Sequence, residues 1–433
     1  MTDVFFVNDS RGQNNWGCRA TTTALIDLIE RSDNAVIGSI SHAPHTDFAG
    51  RGELKLLARS ILRSVPFAHR TAHNASNRLN AWRGPKSGYI TSFDDFQLAA
   101  DAVDQGELWA NEGTLLQAAD VTVVNGEGAI YGRQLKGFIT LFWAWYAKAR
   151  HDKRAAIVNH TADLSDPDLR RAAENVYPLL DDVTFRDPVS LRECGYAAPQ
   201  AQGGVVPDAA FCHRPLSMDA MREWATRPGF FSIWPFDAEG FDITQPYLAV
   251  TGSSALNRPE TTGGKAASAE FANLCLALDR LGLPVILVAP DPTDAELLSP
   301  VARELKIPFI APSTPLPIAH QVLAHASCLV GGRWHPGILA ATGGTPLVNL
   351  TANTKKTTAL LEQLELETTT FDCCDLQSSI EDISELVAAY LAQGDDLRSR
   401  IRARADTLRA QSFANVRVLQ NPQDSQIATE TMT

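Results

Sequence analysis

Short runs of Val, Ile and Phe alternate with longer stretches of helical periodicity along most of the chain, and this alternation restricts the fold more than any other feature. Apolar runs of four to six residues with no in-out alternation are strands buried on both faces. Strands separated by helix-length segments form βαβ units with parallel sheets. In the first half the expected strands are 4–7 (VFFV), 35–39 (AVIGS), 121–124 (VTVV), 155–158 (AAIV), 183–185 (VTF) and 205–206 (VV), with helices at 20–31, 53–64, 134–150, 166–177 and 188–194. A Pro-punctuated stretch over 207–246, containing RPGFF and WPF, interrupts the pattern. It then restarts with strands at 247–252, 285–289, 308–311, 327–332 and 346–350 and helices at 265–281, 293–306, 316–326, 337–342 and 356–364.

The expected fold class is α/β, with two Rossmann-like doubly wound domains facing across a cleft. Residues 1–212 form the first domain, 213–246 a linker and 247–376 the second. Residues 377–420 read as C-terminal helices and 421–433 as a polar, aperiodic, disordered tail. A chain of 433 residues has the material for two or three cores, and no fixed-period repeat is visible.

Composition excludes several classes. Hydrophobic residues make up 45% and charged residues 20%, which rules out collagen-like and disordered chains. Fifty acidic against 38 basic residues give a formal charge of −12, so broad attraction to nucleic acid or anionic membrane is not expected and any anionic ligand must be held locally. The seven cysteines (18, 194, 212, 275, 328, 373 and 374) are scattered, without a CxxC pair or zinc spacing, which reads as reduced thiols of a cytoplasmic protein. The opening MTDVFFVNDSRGQ lacks a signal-peptide h-region, and GFITLFWAWYA (137–147) is too short to span a bilayer, leaving a buried helix or an interfacial one.

Three segments carry candidate chemistry. In NNWGCRATTTALIDLI (14–29), Asn15 and Gly17 lie between a strand and a helix expected to begin near Arg19. Backbone N–H groups there suit an anion, and an ordinary β–α turn is the alternative. VTVVNGEGAIYG (121–132) sets Gly126, Glu127 and Gly128 just after a strand. The spacing misses the dinucleotide fingerprint and no acidic residue ends the next strand, so a Rossmann nucleotide loop is disfavoured, leaving close approach to another ligand or plain turn chemistry. SCLVGGRWHPGILAATGGTPLVNLTANTKKTTALLEQLEL (327–366) places Arg333 and His335 immediately after a strand, with Lys355, and less favourably Lys356, beyond the next strand. Strand-end Arg, His and Lys converging on one crevice make a site for a small, multiply charged anion with an acid/base at hand.

This last segment resembles the signature of the polysaccharide pyruvyl transferase family. Asn15-x-Gly17, VVNGEGAIYG, VTFRDPVSL and VVPDAAF resemble further family pieces in the expected order, so the resemblance covers most of residues 4–366. Cys18 stands where the family usually has Asp, and NGEG replaces a plain Gly triplet. The resemblance implies a GT-B-like transferase with an acceptor-side N-terminal domain, a donor-side C-terminal domain and phosphoenolpyruvate as co-substrate, with no further cofactor and no metal. The acceptor would be a glycan or lipid-linked sugar, and peripheral membrane contact fits such a partner. His335 would be the proton donor. Arg333, Lys355 and Arg186 would hold phosphate and carboxylate, although Arg186 also suits an ion pair with Asp187 or Asp182.

Asn159, His160 and Asp208 occupy strand-end positions where they would bind acceptor or donor, or serve as satisfied core and turn residues. Between 63 and 93 five basic residues, Arg78 and Arg83 among them, occur with no Asp or Glu. That island would meet an anionic acceptor or be a solvated face. A nucleotide-sugar transferase is the runner-up, for which a late Glu gripping ribose is expected; Glu362 and Glu365 follow the Lys block but read equally as an exposed helical face, and a silent glycan-binding relative is the third reading.

Overall fold

The computed structural model describes residues 1–41, 84–199, 204–226, 240–257 and 264–420. The helix expected at 53–64, Arg78 and Arg83, most of the basic island and the tail from 421 lie outside them.

The chain divides into two compact units. The first holds a five-stranded sheet of β1 (Asp3–Val7), β2 (Ala35–Ile40), β3 (Val121–Tyr131), β4 (Arg154–Asp163) and β5 (Asp182–Phe185). Its order is β2-β1-β3-β4-β5, with every pair parallel. Val4, Phe5 and Phe6 are fully buried, as a strand covered on both faces requires. Asp166 and Asp187 each accept a backbone N–H at the start of a Pro-led helix, Pro167–Val176 and Pro188–Cys194, which is why those helices begin where they do. The apolar segment at 137–147 is a buried helix: Phe138, Leu141, Phe142 and Trp143 lie in the unit's core, with Phe5 against Trp143. Among the described residues, no helix is long and apolar enough to cross a membrane.

The second unit holds β6 (Leu248–Ser253), β7 (Val285–Val288), β8 (Phe309–Ile310), β9 (Cys328–Gly332), β10 (Leu347–Leu350) and β11 (Thr370–Phe371). The order β11-β10-β9-β6-β7-β8 is again wholly parallel, and it is the dinucleotide-fold order, reversing direction between β6 and β9. Gly331 and Gly332 permit that β6–β9 approach. A Cβ on Gly331 would fall 2.2 Å from Thr251 Cγ2, and one on Gly332 2.4 Å from Ser253 Oγ.

Several expectations differ from the structure. No strand forms at 205–206, because Pro207 offers no N–H to continue a ladder. The NGEG and NHTAD segments are strand rather than loop, carried within β3 and β4. The helix expected near Arg19 starts at Trp16. The C-terminal segment is helical as expected, with Gly394, at φ 54° and ψ −134°, dividing Ile380–Ser412 into two helices. The units also do not follow chain order: residues 11–24 and 206–414 form the second, and the chain from Asn415 returns to the first, where Arg417 pairs with Asp182 at 2.6 Å.

Candidate functional site

In the second unit, the reversal of strand order leaves a crevice beyond the carboxyl ends of β6 and β9, and β9 runs straight into Arg333-Trp334-His335. Asp291, after β7, caps the helix Pro292–Leu305 by accepting from the N–H groups of Thr293 and Asp294 through Oδ1. Its Oδ2 receives Arg333 Nη1 at 2.8 Å. Asp294, one turn along, accepts from Arg333 Nη2 at 2.8 Å and Nε at 3.1 Å. One guanidinium is thus gripped by two carboxylates, with Arg333 and Asp291 each 10% exposed and Asp294 1%. Ser254 pins Asn353 at 3.0 Å, fixing the loop that leads to the exposed Lys355.

Burial pushes the Asp294 carboxyl up to about 7; Arg333 opposes that shift and the charge of Asp291 adds to it. Its second oxygen, Oδ2, has no hydrogen-bond partner among the described residues. Because the folded state holds this proton more tightly than the unfolded chain does, the associated stability is complete below about pH 4 and is lost as pH rises through about 7. Asp294→Asn, neutral at every pH, is therefore expected to gain on wild type by on the order of 2–3 kcal/mol between about pH 5 and 8 in urea titrations. A gap between the two proteins that does not move with pH contradicts this.

His335 sits two residues beyond Arg333 at the start of the helix Trp334–Thr342. Its Nε2 lies 3.0 Å from Thr21 Oγ1 and 3.3 Å from Asp208 Oδ2. Asp208 is fully buried, accepting from Thr21 Oγ1 (2.9 Å), the Ala210 N–H (2.8 Å) and Trp334 Nε1 (2.9 Å). The opposite ring nitrogen faces Gly17, where a Cβ would fall 2.1 Å from Nδ1. Asn15 caps the helix Trp16–Arg31 by accepting the Cys18 N–H, and its Nδ2 approaches Asp291 at 3.5 Å.

Gly17, Asp208, Arg333 and His335 therefore belong to one constellation, with Asn15 at its edge. At Asn15 and Asp208 the structure shows the second of the two roles expected. The Asn15 amide acts as a helix cap, and Asp208 holds His335, Thr21 and Trp334 rather than reaching a ligand, because no part of it is exposed. Thr21, Trp334, Asp291 and Asp294 had no sequence assignment; the Asp-Pro-Thr-Asp step after β7 was the available signal for the last two.

In the first unit, the strand ends carry a separate polar group. Asn8, Glu127 and Asn159 all take left-handed φ (70°, 43° and 58°), an uncommon conformation for residues with a side chain. Asn8 Nδ2 donates to the Asn125 carbonyl, and Ser10 lies 3.4 Å from Glu127. Gly128 lies near Arg186, which is 1% exposed and donates from Nε to Thr161. The expected ion pair of Arg186 with Asp187 or Asp182 is replaced: Asp187 caps the next helix and receives Thr161, and Asp182 takes Arg417.

His160 is core rather than ligand site. Both ring nitrogens are bonded, to the Thr184 carbonyl and the Tyr177 hydroxyl, and burial drives its pKa down to about 3. Gly126 packs against it, since a Cβ would lie 2.1 Å from His160 Cβ, so the missing side chain serves strand contact. No disulfide joins any of the seven cysteines, all of which lie among the described residues. Among the described residues, the one grouping of three potential metal ligands is the consecutive Asp372, Cys373 and Cys374.

Comparison with known structures places the fold. MnaA of S. aureus, in a co-structure with UDP, is 11% identical over 97% of this chain and 95% of its own, with a TM-score of 0.52. A UDP-GlcNAc 2-epimerase from Neisseria meningitidis is 10% identical over 97% and 99%, also at 0.52. A sucrose-phosphate synthase from Thermosynechococcus elongatus is 12% identical over 100% and 99%, at 0.51. At these identities the likeness establishes a GT-B-like fold of two Rossmann-like α/β domains. A comparison with curated proteins yields no match. The sequence model of one family, polysaccharide pyruvyl transferase, matches residues 30–353, a span that takes in Asp208, Arg333 and His335. The chain belongs to the polysaccharide pyruvyl transferase family and is a transferase.

Proposed function

We propose that this protein transfers the pyruvyl unit of phosphoenolpyruvate onto two hydroxyls of a sugar, in a surface polysaccharide or its lipid-linked precursor, forming a cyclic ketal and releasing phosphate. The observation that carries this reading is the His335 imidazole, held by Thr21 and Asp208 two residues beyond the Arg333 guanidinium at the β6/β9 strand ends. A dianionic phosphate, a carboxylate and a carbon to be protonated ask for that set of groups.

His335 gives its proton to the methylene carbon of the donor as the enol electron pair forms the new C–H bond. The positive charge left at C2 is met by one sugar hydroxyl, whose proton returns to the imidazole. A second hydroxyl then attacks C2 as the C2–O bond to phosphate breaks, and its proton leaves with the released phosphate. Arg333 and Lys355 neutralise the donor anion, Arg333 bidentately and Lys355 as a point charge. Protonation of Asp294 near pH 7 removes one of the two carboxylates competing for Arg333. Arg186, buried against Thr161, is assigned to the framework of the first unit. Reduced cysteines fit a cytoplasmic setting.

A nucleotide-sugar donor fits less well. Glu365, one of the two candidate ribose ligands, faces Arg404 at 3.3 Å. In thermal unfolding, phosphoenolpyruvate at about a hundredfold excess over its Kd is expected to raise the midpoint by about 2–4 °C, with UDP-sugars inert. Stabilisation by UDP-sugars alone contradicts the proposal.

A further inference from the structure

The hydrogen-bond directions around His335 determine which of its nitrogens handles the proton. Thr21 has one hydroxyl hydrogen and donates it to Asp208 Oδ1 at 2.9 Å. Toward His335 Nε2, 3.0 Å away, the Thr21 oxygen is then an acceptor. Asp208 Oδ2, 3.3 Å from the same nitrogen, is an acceptor as well and is held in place by the Trp334 indole N–H. Thr21 and Asp208 therefore each call for hydrogen on Nε2. The other nitrogen, Nδ1, lies against Gly17, the one residue type that leaves room there.

We infer that Asp208 and Thr21 are positioning residues that fix His335 as the Nε2–H tautomer, so that Nδ1, beside Gly17, is the nitrogen that gives and takes the catalytic proton. Asp208 acts through His335 without touching substrate: it is fully buried, with Oδ2 3.3 Å from Nε2. This assignment of Nδ1 to the proton step rests on the proposed pyruvyl transfer, whereas the tautomer itself does not.

The test uses the full-length protein labelled with 15N-histidine and no substrate, with the His335 signals identified by their loss in His335→Gln. At alkaline pH the wild type is expected to show a protonated Nε2 and a bare Nδ1. Thr21→Val and Asp208→Asn are expected to relax that preference toward a mixture, while Thr21→Ser keeps it. A wild-type His335 protonated at Nδ1, or a tautomer unchanged in both Thr21→Val and Asp208→Asn, overturns the inference. If the wild-type tautomer is as stated and phosphoenolpyruvate is not turned over, the functional proposal fails and the positioning role of Asp208 and Thr21 stands. Thr21→Val decides the matter alone should Asp208→Asn not fold.

Discussion

Gly17→Ala is expected to lower turnover by about 100-fold or more, a loss out of proportion to one added methyl group. That methyl would sit 2.1 Å from His335 Nδ1, 2.7 Å from Cγ and 3.0 Å from Cβ, so the imidazole or the helix start must move. Either movement breaks the 3.0 and 3.3 Å contacts that hold Nε2, and a displacement of about 1 Å at a reacting group costs about 10²-fold. Overpacking also costs about 1–3 kcal/mol of stability. The contact has a definite signature: in a His335→Ala background the imidazole is gone and only the Cβ contact at 3.0 Å remains, so most of the stability cost should disappear. An equal cost in both backgrounds shows that Gly17 is required for some other reason.

Arg333→Ala is expected to be the most destabilising change at the site, by about 3–5 kcal/mol, because it leaves the buried Asp291 and Asp294 facing each other without a counter-charge. Adding Asp294→Asn should recover a substantial part of that loss by removing one of the stranded charges. Arg333→Lys keeps the charge and loses the fork that serves both carboxylates, so it should fold yet bind the donor anion more weakly, with KM rising more than kcat falls. Denaturant unfolding of the three proteins at pH 8 separates these effects. An Arg333→Ala protein as stable as wild type there would mean that the two carboxylates do not depend on Arg333.

Much of this arrangement was legible before the structure. Buried parallel strands appear as unbroken apolar runs, so β1, β6, β7 and β9 could be read directly from Val, Ile and Phe. The Arg-x-His step was visible because it follows such a run without a break. Reading stopped where polar residues continue a strand, as in β3 and β4 through Glu127 and Asn159, whose left-handed backbone no hydropathy pattern encodes. β11, two residues long, is too short to register. The helix Ala110–Ala118, with Gly113 inside it, carries little amphipathic periodicity.

The partners of the site residues were the least visible. Thr21 and His335 are 314 positions apart, Asp208 and Trp334 126, and such pairings exist only once the fold is made. For that reason the sequence left Asp208 open between a ligand contact and a satisfied buried residue. His160 and Gly126 looked equally functional at a strand end, yet their proximity serves strand packing.

The central claim is the pyruvyl transfer itself, and its direct measurement is acceptor-dependent phosphate release from phosphoenolpyruvate across a panel of sugars, with the sugar product examined by mass spectrometry. The account predicts phosphate and pyruvylated sugar in equal amounts from the wild type, and a rate lower by about 10²- to 10⁴-fold in His335→Ala. Folded wild-type protein that releases no phosphate with any acceptor, or His335→Ala working at close to the wild-type rate, would contradict it.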